Sequence, residues 1–217
     1  MADYSKLDHF SLKAQKEGYP ARSVYKLKEM DEKFSLLKHR GKTPLKVLDL
    51  GAAPGSWSLY VLRKLFTTGR SGGDANGTAE KTLVSIDLAP LSRQYDQGLF
   101  DKPEFLFIQG DFTIDEVRQA ILSCAPYNLV LSDAAPATTG NRSVDTLRSL
   151  ALSELVLDYA EIALAKGGNM ALKVFQGGDT AALLKKMRSL FETAKSFKPQ
   201  ACRPESFETY YLGLGKK

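Results

Sequence analysis

VLDLGAAPGSWSLYVL occupies residues 47–62, and its reading decides the fold. An apolar run ends in Asp49-Leu50-Gly51, small residues and a proline follow, and Trp57 heads a second apolar stretch. The pattern predicts a short buried strand, a bare turn and a helix. Gly51 and Gly55 lack Cβ atoms, so a ligand can approach the backbone closely. The helix that begins near Gly55 offers N–H groups with no intrahelical partner. A nucleotide P-loop fails here, because Ser56 and Trp57 stand where its second glycine and lysine belong. A GxGxxG fingerprint fails as well, since Ala53 replaces the middle glycine. The bland alternative is a tight strand-to-helix turn with Trp57 as a core plug.

Further β-rich runs follow at TLVSID (82–87), FLFIQ (105–109), NLVLSD (128–133) and NMALKVF (169–175), after KVLDL (46–50). Helical patterns separate most of them. Leu147, Ala151, Leu155, Tyr159 and Ile162 keep helical spacing, as do Leu183, Met187, Leu190 and Phe191 after an N-cap at Asp179. Such alternation predicts βαβ units and a parallel sheet covered on both faces. SFETYYLGLG (206–215) follows AKSFKP closely, which suits a closing hairpin at one end of the sheet. TTGRSGGDANGTAEK (67–81) is Gly-rich and polar, and reads as a mobile loop inserted into one domain rather than a linker. The expectation is a single domain over residues 1–217, with a basic arm and helix at 1–40.

Ligands of such sheets bind beyond the carboxyl ends of the strands. There, Asp87 ends the second strand, Asp111 follows the third and Asp133 ends the fourth. A DxGxxPG-like turn followed by an acid that can grip ribose hydroxyls suits S-adenosylmethionine, with Asp111 toward the adenine. Lys173 interrupts the apolar strand MALKVF, where a charge is expensive to bury. Glu208 raises the same question among the aromatic residues of SFETYYL. Either can reach water from a strand end. Alternatively, Lys173, Asp133 and Glu208 converge, and a buried lysine becomes a competent base.

The net charge of +5 is unevenly placed. Residues 1–46 hold 11 Lys/Arg against 6 Asp/Glu, while the remaining 171 hold 19 of each. Within that remainder, 185–203 carries six cations against Glu192 alone. Two basic segments on a neutral body suit an anionic polymer, although solvated helix faces give the same pattern. The two cysteines, Cys124 and Cys202, lie far apart without CxxC or histidine neighbours. That argues against zinc and against a disulfide framework, and fits a reducing cytoplasm. No apolar run is long enough to span a bilayer, and no signal-peptide pattern opens the chain.

Over nearly its whole length the sequence resembles the FtsJ/RrmJ-type ribose 2′-O-methyltransferases. The resemblance is carried by ARSVYKLKEMDEKF (21–34), VLDLGAAPGSWS (47–58), SIDLAP (85–90), QGDF (109–112), LSDAAPATTGNRSVD (131–145), LKVFQG (172–177) and CRPESFETY (202–210). It implies a Rossmann-like methyltransferase fold, with a mostly parallel seven-stranded sheet and a terminal antiparallel hairpin. It implies a Lys–Asp–Lys–Glu tetrad at Lys26, Asp133, Lys173 and Glu208, with Lys173 accepting the proton. It also implies S-adenosylmethionine contacts at Gly51, Gly55, Trp57, Asp87, Asp111 and Asp133, with no metal. RNA contacts are expected at Arg22, Lys28, Lys198 and Arg203, in a groove that delivers RNA to Lys26. The implied substrate is a uridine of 23S ribosomal RNA, with transfer RNA as the alternative and a non-catalytic ribosome-assembly protein as the rival. The implied protein is a cytoplasmic monomer without DNA or membrane partners. Two departures stand out: Ser56 replaces a second glycine of many relatives, and the 67–81 insertion is long.

Overall fold

The chain is described from a computed structural model, over residues 8–38, 44–67, 82–137, 139–177 and 180–217. It runs through α1 (His9–Lys16), α2 (Val24–Phe34), β1 (Val47–Leu50), α3 (Ser56–Thr67), β2 (Leu83–Asp87), a short 3-10 turn (Leu99–Asp101) and β3 (Phe105–Gln109). It continues through α4 (Asp115–Ser123), β4 (Tyr127–Ser132), α5 (Arg142–Ala163), β5 (Leu164–Phe175), α6 (Thr180–Leu190), β6 (Phe191–Phe197) and β7 (Glu208–Lys216). The strands form one seven-stranded sheet in the order β3-β2-β1-β4-β5-β7-β6. Strands β1 to β5 are parallel, and β7 inserts antiparallel between β5 and β6. This is the Rossmann-like architecture with the terminal hairpin that the sequence implied.

Alternate strand residues face opposite sides of the sheet. Val47, Leu83, Leu129 and Leu131 pack with side chains of α2 and α3, Leu27 and Leu59 among them. Leu48, Leu50, Val84, Ile86 and Val130 pack with α4 to α6 through Ile121, Val156 and Met187. Each such Leu or Val, fully buried, contributes about 1.5–3 kcal/mol. Burial on both faces is why the central strands read as unbroken apolar runs.

Strand order reverses between β1 and β4, so the connections leaving these two strands part in opposite directions. A crevice opens at their carboxyl ends. Leu50 stands opposite both Ile86 and Ser132, which brings the turns after β1, β2 and β4 to one edge.

Three details depart from the sequence reading. β5 begins at Leu164, five residues early, with a register shift against β4 between Tyr127 and Leu129. Phe191 opens β6 rather than closing the helix, and it pairs with Lys216 at the sheet edge. The stripe chosen on α5 is the core face only in part: Tyr159 is buried and Leu155 packs against the same core, but Leu147 and Ile162 are 63% and 59% exposed, while Ser149, Ser153, Val156 and Ala160 are buried. Small polar residues form that inner face because Ser149 and Ser153 hydrogen-bond the β5 backbone. The expected cap at Asp179 lies outside the described residues, as does all of the 67–81 insertion except Thr67. No helix among the described residues is long and apolar enough to cross a membrane.

Candidate active site

A cavity of about 600 Å³ lies beyond the ends of β1 to β4, lined by Gly51, Ala53, Asp87, Asp111, Phe112 and Asp133, with Arg148, Ala151, Leu152 and Leu155 of α5 opposite. Its floor depends on Gly51, which has φ +79°; a Cβ there would lie 2.6 Å from Cα of Ala134. Only glycine lets the turn after β1 press against the turn after β4. Asp87 is held rigidly, Oδ2 accepting from the N–H of Ala53 (2.8 Å) and Oδ1 from that of Ala89 (2.9 Å). Each oxygen keeps further acceptor capacity for a ligand. Asp111 Oδ1 accepts from the N–H of Thr113 (2.8 Å).

Gly55 and Trp57 do not line this cavity. Gly55 has φ +106°, and a Cβ there would meet the Phe100 ring at 3.0 Å. Trp57 is 2% exposed, packs on Tyr210 with centroids 5.9 Å apart, and donates its indole N–H to the carbonyl of Ser23 (2.8 Å). The geometry is that of the core plug. Ser56 likewise serves the packing. Its hydroxyl accepts from the N–H of Ala21 (2.8 Å) and donates to the Ala21 carbonyl (3.1 Å). The serine in place of a glycine therefore ties the start of α3 to the start of α2, just before Arg22 and Lys26.

The four tetrad residues come from four elements and meet as two ion pairs. Lys26 of α2 is 2.8 Å from Glu208 at the start of β7. Lys173 of β5 is 3.1 Å from Oδ1 of Asp133, which follows β4, and donates to the Asp133 carbonyl as well. Tyr210, two residues beyond Glu208 on the same strand face, links the pairs. Its hydroxyl donates to Asp133 Oδ1 (2.6 Å), and Lys26 Nζ lies 5.8 Å from its ring centroid.

Burial would push the Asp133 carboxyl up, but Lys173, Lys26 and the Tyr210 hydroxyl together hold it below the ordinary range. Burial would likewise lower Lys26, yet Asp133 and Glu208 leave it raised. Asp133 is thus ionised and Lys26 cationic at neutral pH.

Beside the tetrad runs a groove of about 570 Å³ lined by Arg22, Ser23, Lys26, Arg203, Phe207 and Glu208. Asp133 lines the cavity while Lys26 and Glu208 line the groove, so the two spaces meet at the tetrad. Lys28 and Lys198 do not join this groove; both line a neighbouring one with Phe10, Tyr25 and Phe197. Two positions along a helix turn the side chain by roughly 200°, so Lys28 cannot share the face of Lys26. It pairs with Glu17 at 2.5 Å and lies over the rings of Tyr19 and Tyr25 at 4.7 and 5.1 Å.

Sequence reasoning missed Tyr210 and Asp49. Tyr210 was legible in principle, because strand alternation puts it on the face of Glu208. Asp49 gave no signal beyond its place in VLDLG. It is fully buried; Ser58 donates to its Oδ2 (2.8 Å), and Oδ1 has no partner among the described residues. Burial raises its carboxyl to about 7.

The model of the FtsJ-like methyltransferase family matches residues 19–216. The chain is 47% identical over 214 residues to ribosomal RNA large subunit methyltransferase E of Treponema denticola, covering 99% of this chain and 97% of that relative. It is 43% identical over 206 residues to the protein of the same name from Borreliella afzelii, covering 95% and 96%. The crystal structure of a Plasmodium falciparum protein named as a ribosomal RNA methyltransferase superposes with a TM-score of 0.68 at 25% identity, covering 91% of this chain and 98% of that one.

Proposed function

Given that the chain belongs to the FtsJ-like methyltransferase family, we propose that it methylates the 2′-hydroxyl of a ribose in large-subunit ribosomal RNA, as a cytoplasmic monomer using S-adenosylmethionine. The observation that carries this reading is the position of Asp133, which borders the cavity and belongs to the tetrad at the end of the groove. A small ligand in one space and a polymer in the other would meet there.

The cavity fits the methyl donor. Gly51 and Ala53 offer bare backbone, Asp87 presents fixed acceptor oxygens suited to ribose hydroxyls, and Asp111 stands farther along the same edge. Bound there, S-adenosylmethionine supplies a methyl already activated by its sulfonium. The chain supplies alignment and proton handling. Lys173 Nζ serves as the acceptor for the proton of the ribose 2′-OH, and ionised Asp133 at 3.1 Å stabilises the ammonium so formed. Cationic Lys26, fixed by Glu208, orients the 2′-oxygen. Alignment accounts for much of the acceleration, since the leaving group needs no further activation. Arg22 and Arg203 border the groove on the RNA side. The 2′-OH itself excludes DNA as a substrate.

Methyl transfer from labelled S-adenosylmethionine tests this, run in parallel on large ribosomal subunits lacking the modification, naked 23S RNA and unmodified transfer RNA. Label on large-subunit RNA is the expected result. Label confined to transfer RNA would overturn the substrate, and none on any RNA would overturn the activity.

A further inference from the structure

Asp8 stands at the rim of the tetrad groove. Its Oδ1 accepts the N–H of Ser11 (2.8 Å), capping α1. Its Oδ2 contacts the Arg22 guanidinium and lies 3.8 Å from Nε of Arg203. Both arginines line the groove that holds Lys26 and Glu208.

The two guanidiniums are held where they stand. The Arg22 side chain is only 16% exposed; it donates to the Ala201 carbonyl (2.5 Å) and lies over the Phe10 ring at 5.2 Å. Ala201 belongs to the β6–β7 loop, which Glu29 of α2 grips through the N–H groups of Gln200 (2.6 Å) and Ala201 (2.8 Å). Loop and helix are thereby locked together, with Arg203 on the loop and Arg22 in the turn that leads into the helix. Burial and the proximity of Arg203 pull the Arg22 guanidinium below its ordinary value. An anion between two such cations relieves their repulsion, and here a carboxylate of the chain itself provides it.

A carboxylate and a phosphodiester present the same chemistry to guanidinium: one negative charge and two acceptor oxygens. A ribose whose 2′-oxygen reaches Lys173 brings a phosphodiester on its neighbouring 3′-oxygen. We propose that Arg22 and Arg203 form a phosphodiester subsite beside the ribose pocket, and that Asp8 fills it as an internal stand-in until RNA displaces it. The inference rests on the RNA methyltransferase reading above and extends it, because RNA must then compete with a carboxylate of the enzyme. The Asp8 side chain is 36% exposed, so its ion pairs are weak enough to be exchanged. Displacement also takes the acidic cap from α1, which couples RNA binding to the position of that helix.

Asp8→Asn separates the two roles, since asparagine caps a helix as well as aspartate but carries no charge. Affinity for unmodified 23S RNA at low salt is measured alongside the melting temperature in inorganic phosphate. The expected result is RNA binding tighter by roughly threefold to fivefold, the worth of one exposed ion pair. Phosphate should raise the melting temperature of Asp8→Asn more than that of the native chain, and adding Arg203→Gln should remove both gains. Unchanged or weaker RNA binding by Asp8→Asn would overturn the stand-in and make Asp8 a fixed strut. Absence of RNA binding by both proteins, with the phosphate response of Asp8→Asn intact, would overturn the RNA reading and leave the anion subsite standing.

Discussion

Tyr210 donates its hydroxyl to Oδ1 of Asp133 at 2.6 Å, and that same oxygen lies 3.1 Å from Nζ of Lys173. Tyr210 also stands directly opposite Lys173 in the β5–β7 register. Burial, and then the charges of Asp133 and Glu208, push the phenol well above its ordinary value, so it stays a donor throughout the working pH range. The carboxylate that serves Lys173 is therefore aimed by a second strand. Tyr210→Phe keeps the buried ring and removes only that bond. A hydrogen bond to a charged group is worth about 1.5–3 kcal/mol, so kcat should fall roughly tenfold to hundredfold with S-adenosylmethionine affinity unchanged. Steady-state kinetics beside calorimetric titration checks this; an unchanged kcat would show that Asp133 needs no such support.

The Lys26–Glu208 pair makes a stability prediction. Both side chains are largely buried, at 12% and 13% exposure. Removing one partner strands a buried charge, which costs about 3–5 kcal/mol. Lys26→Met should lower Tm by roughly 6–20 °C for a chain of this size, and adding Glu208→Gln should restore part of the loss. Thermal unfolding of the single and double variants decides it; losses that simply add would mean the pair is not coupled.

Much of this site was legible in the chain because strand ends are marked twice. Asp87 and Asp133 close apolar runs, and Lys173 breaks one, so each announces a polar position at a sheet edge. Lys26 carried no such mark and was found only through resemblance, because one lysine on an amphipathic helix looks like any other. Its neighbour Lys28 shows the limit of reading by segment: two residues apart in sequence, the pair faces two grooves. Trp57 shows another. A tryptophan after a glycine turn suits a ligand wall or a core plug equally, and only the Ser23 carbonyl, supplied by a distant loop, gives its indole a partner. The α5 stripe held at Tyr159 but misled at Leu147 and Ile162, because the inner face is rich in serine and alanine, whose fit depends on the backbone of β5 rather than on hydrophobicity.

Asp49 makes the fold sensitive to pH in a defined direction. Its carboxyl sits at about 7 when folded, against about 3.9 when unfolded. The folded state then binds the proton more tightly, so this contribution is fully present below pH ~4 and is lost as pH rises through 7. Across that window Asp49 should remove on the order of 4 kcal/mol of stability. Asp49→Asn keeps an acceptor for Ser58 and should flatten the decline in Tm between pH 5 and 8. Parallel slopes for the two proteins would contradict the assignment.

Gly51→Ala tests the cavity floor. The new methyl would meet the Ala134 backbone at 2.6 Å while holding φ near +79°. Left-handed backbone costs about 1–2 kcal/mol in a residue with Cβ, and overpacking about 1–3 more. A loss of about 2–5 kcal/mol in stability and weaker S-adenosylmethionine binding should appear together in chemical denaturation and calorimetry. Native affinity in a destabilised protein would separate the turn from the ligand.

If the mechanism holds, the methyl group arrives on a ribose 2′-oxygen by way of Lys173. The most direct measurement is the position of the label after reaction with large-subunit RNA, read by alkaline hydrolysis, for the native enzyme and for Lys173→Met. One labelled, alkali-resistant dinucleotide is expected from the native enzyme and none from the variant, which should still bind S-adenosylmethionine. Label released in alkali-labile mononucleotides, or near-native turnover by Lys173→Met, would contradict the mechanism.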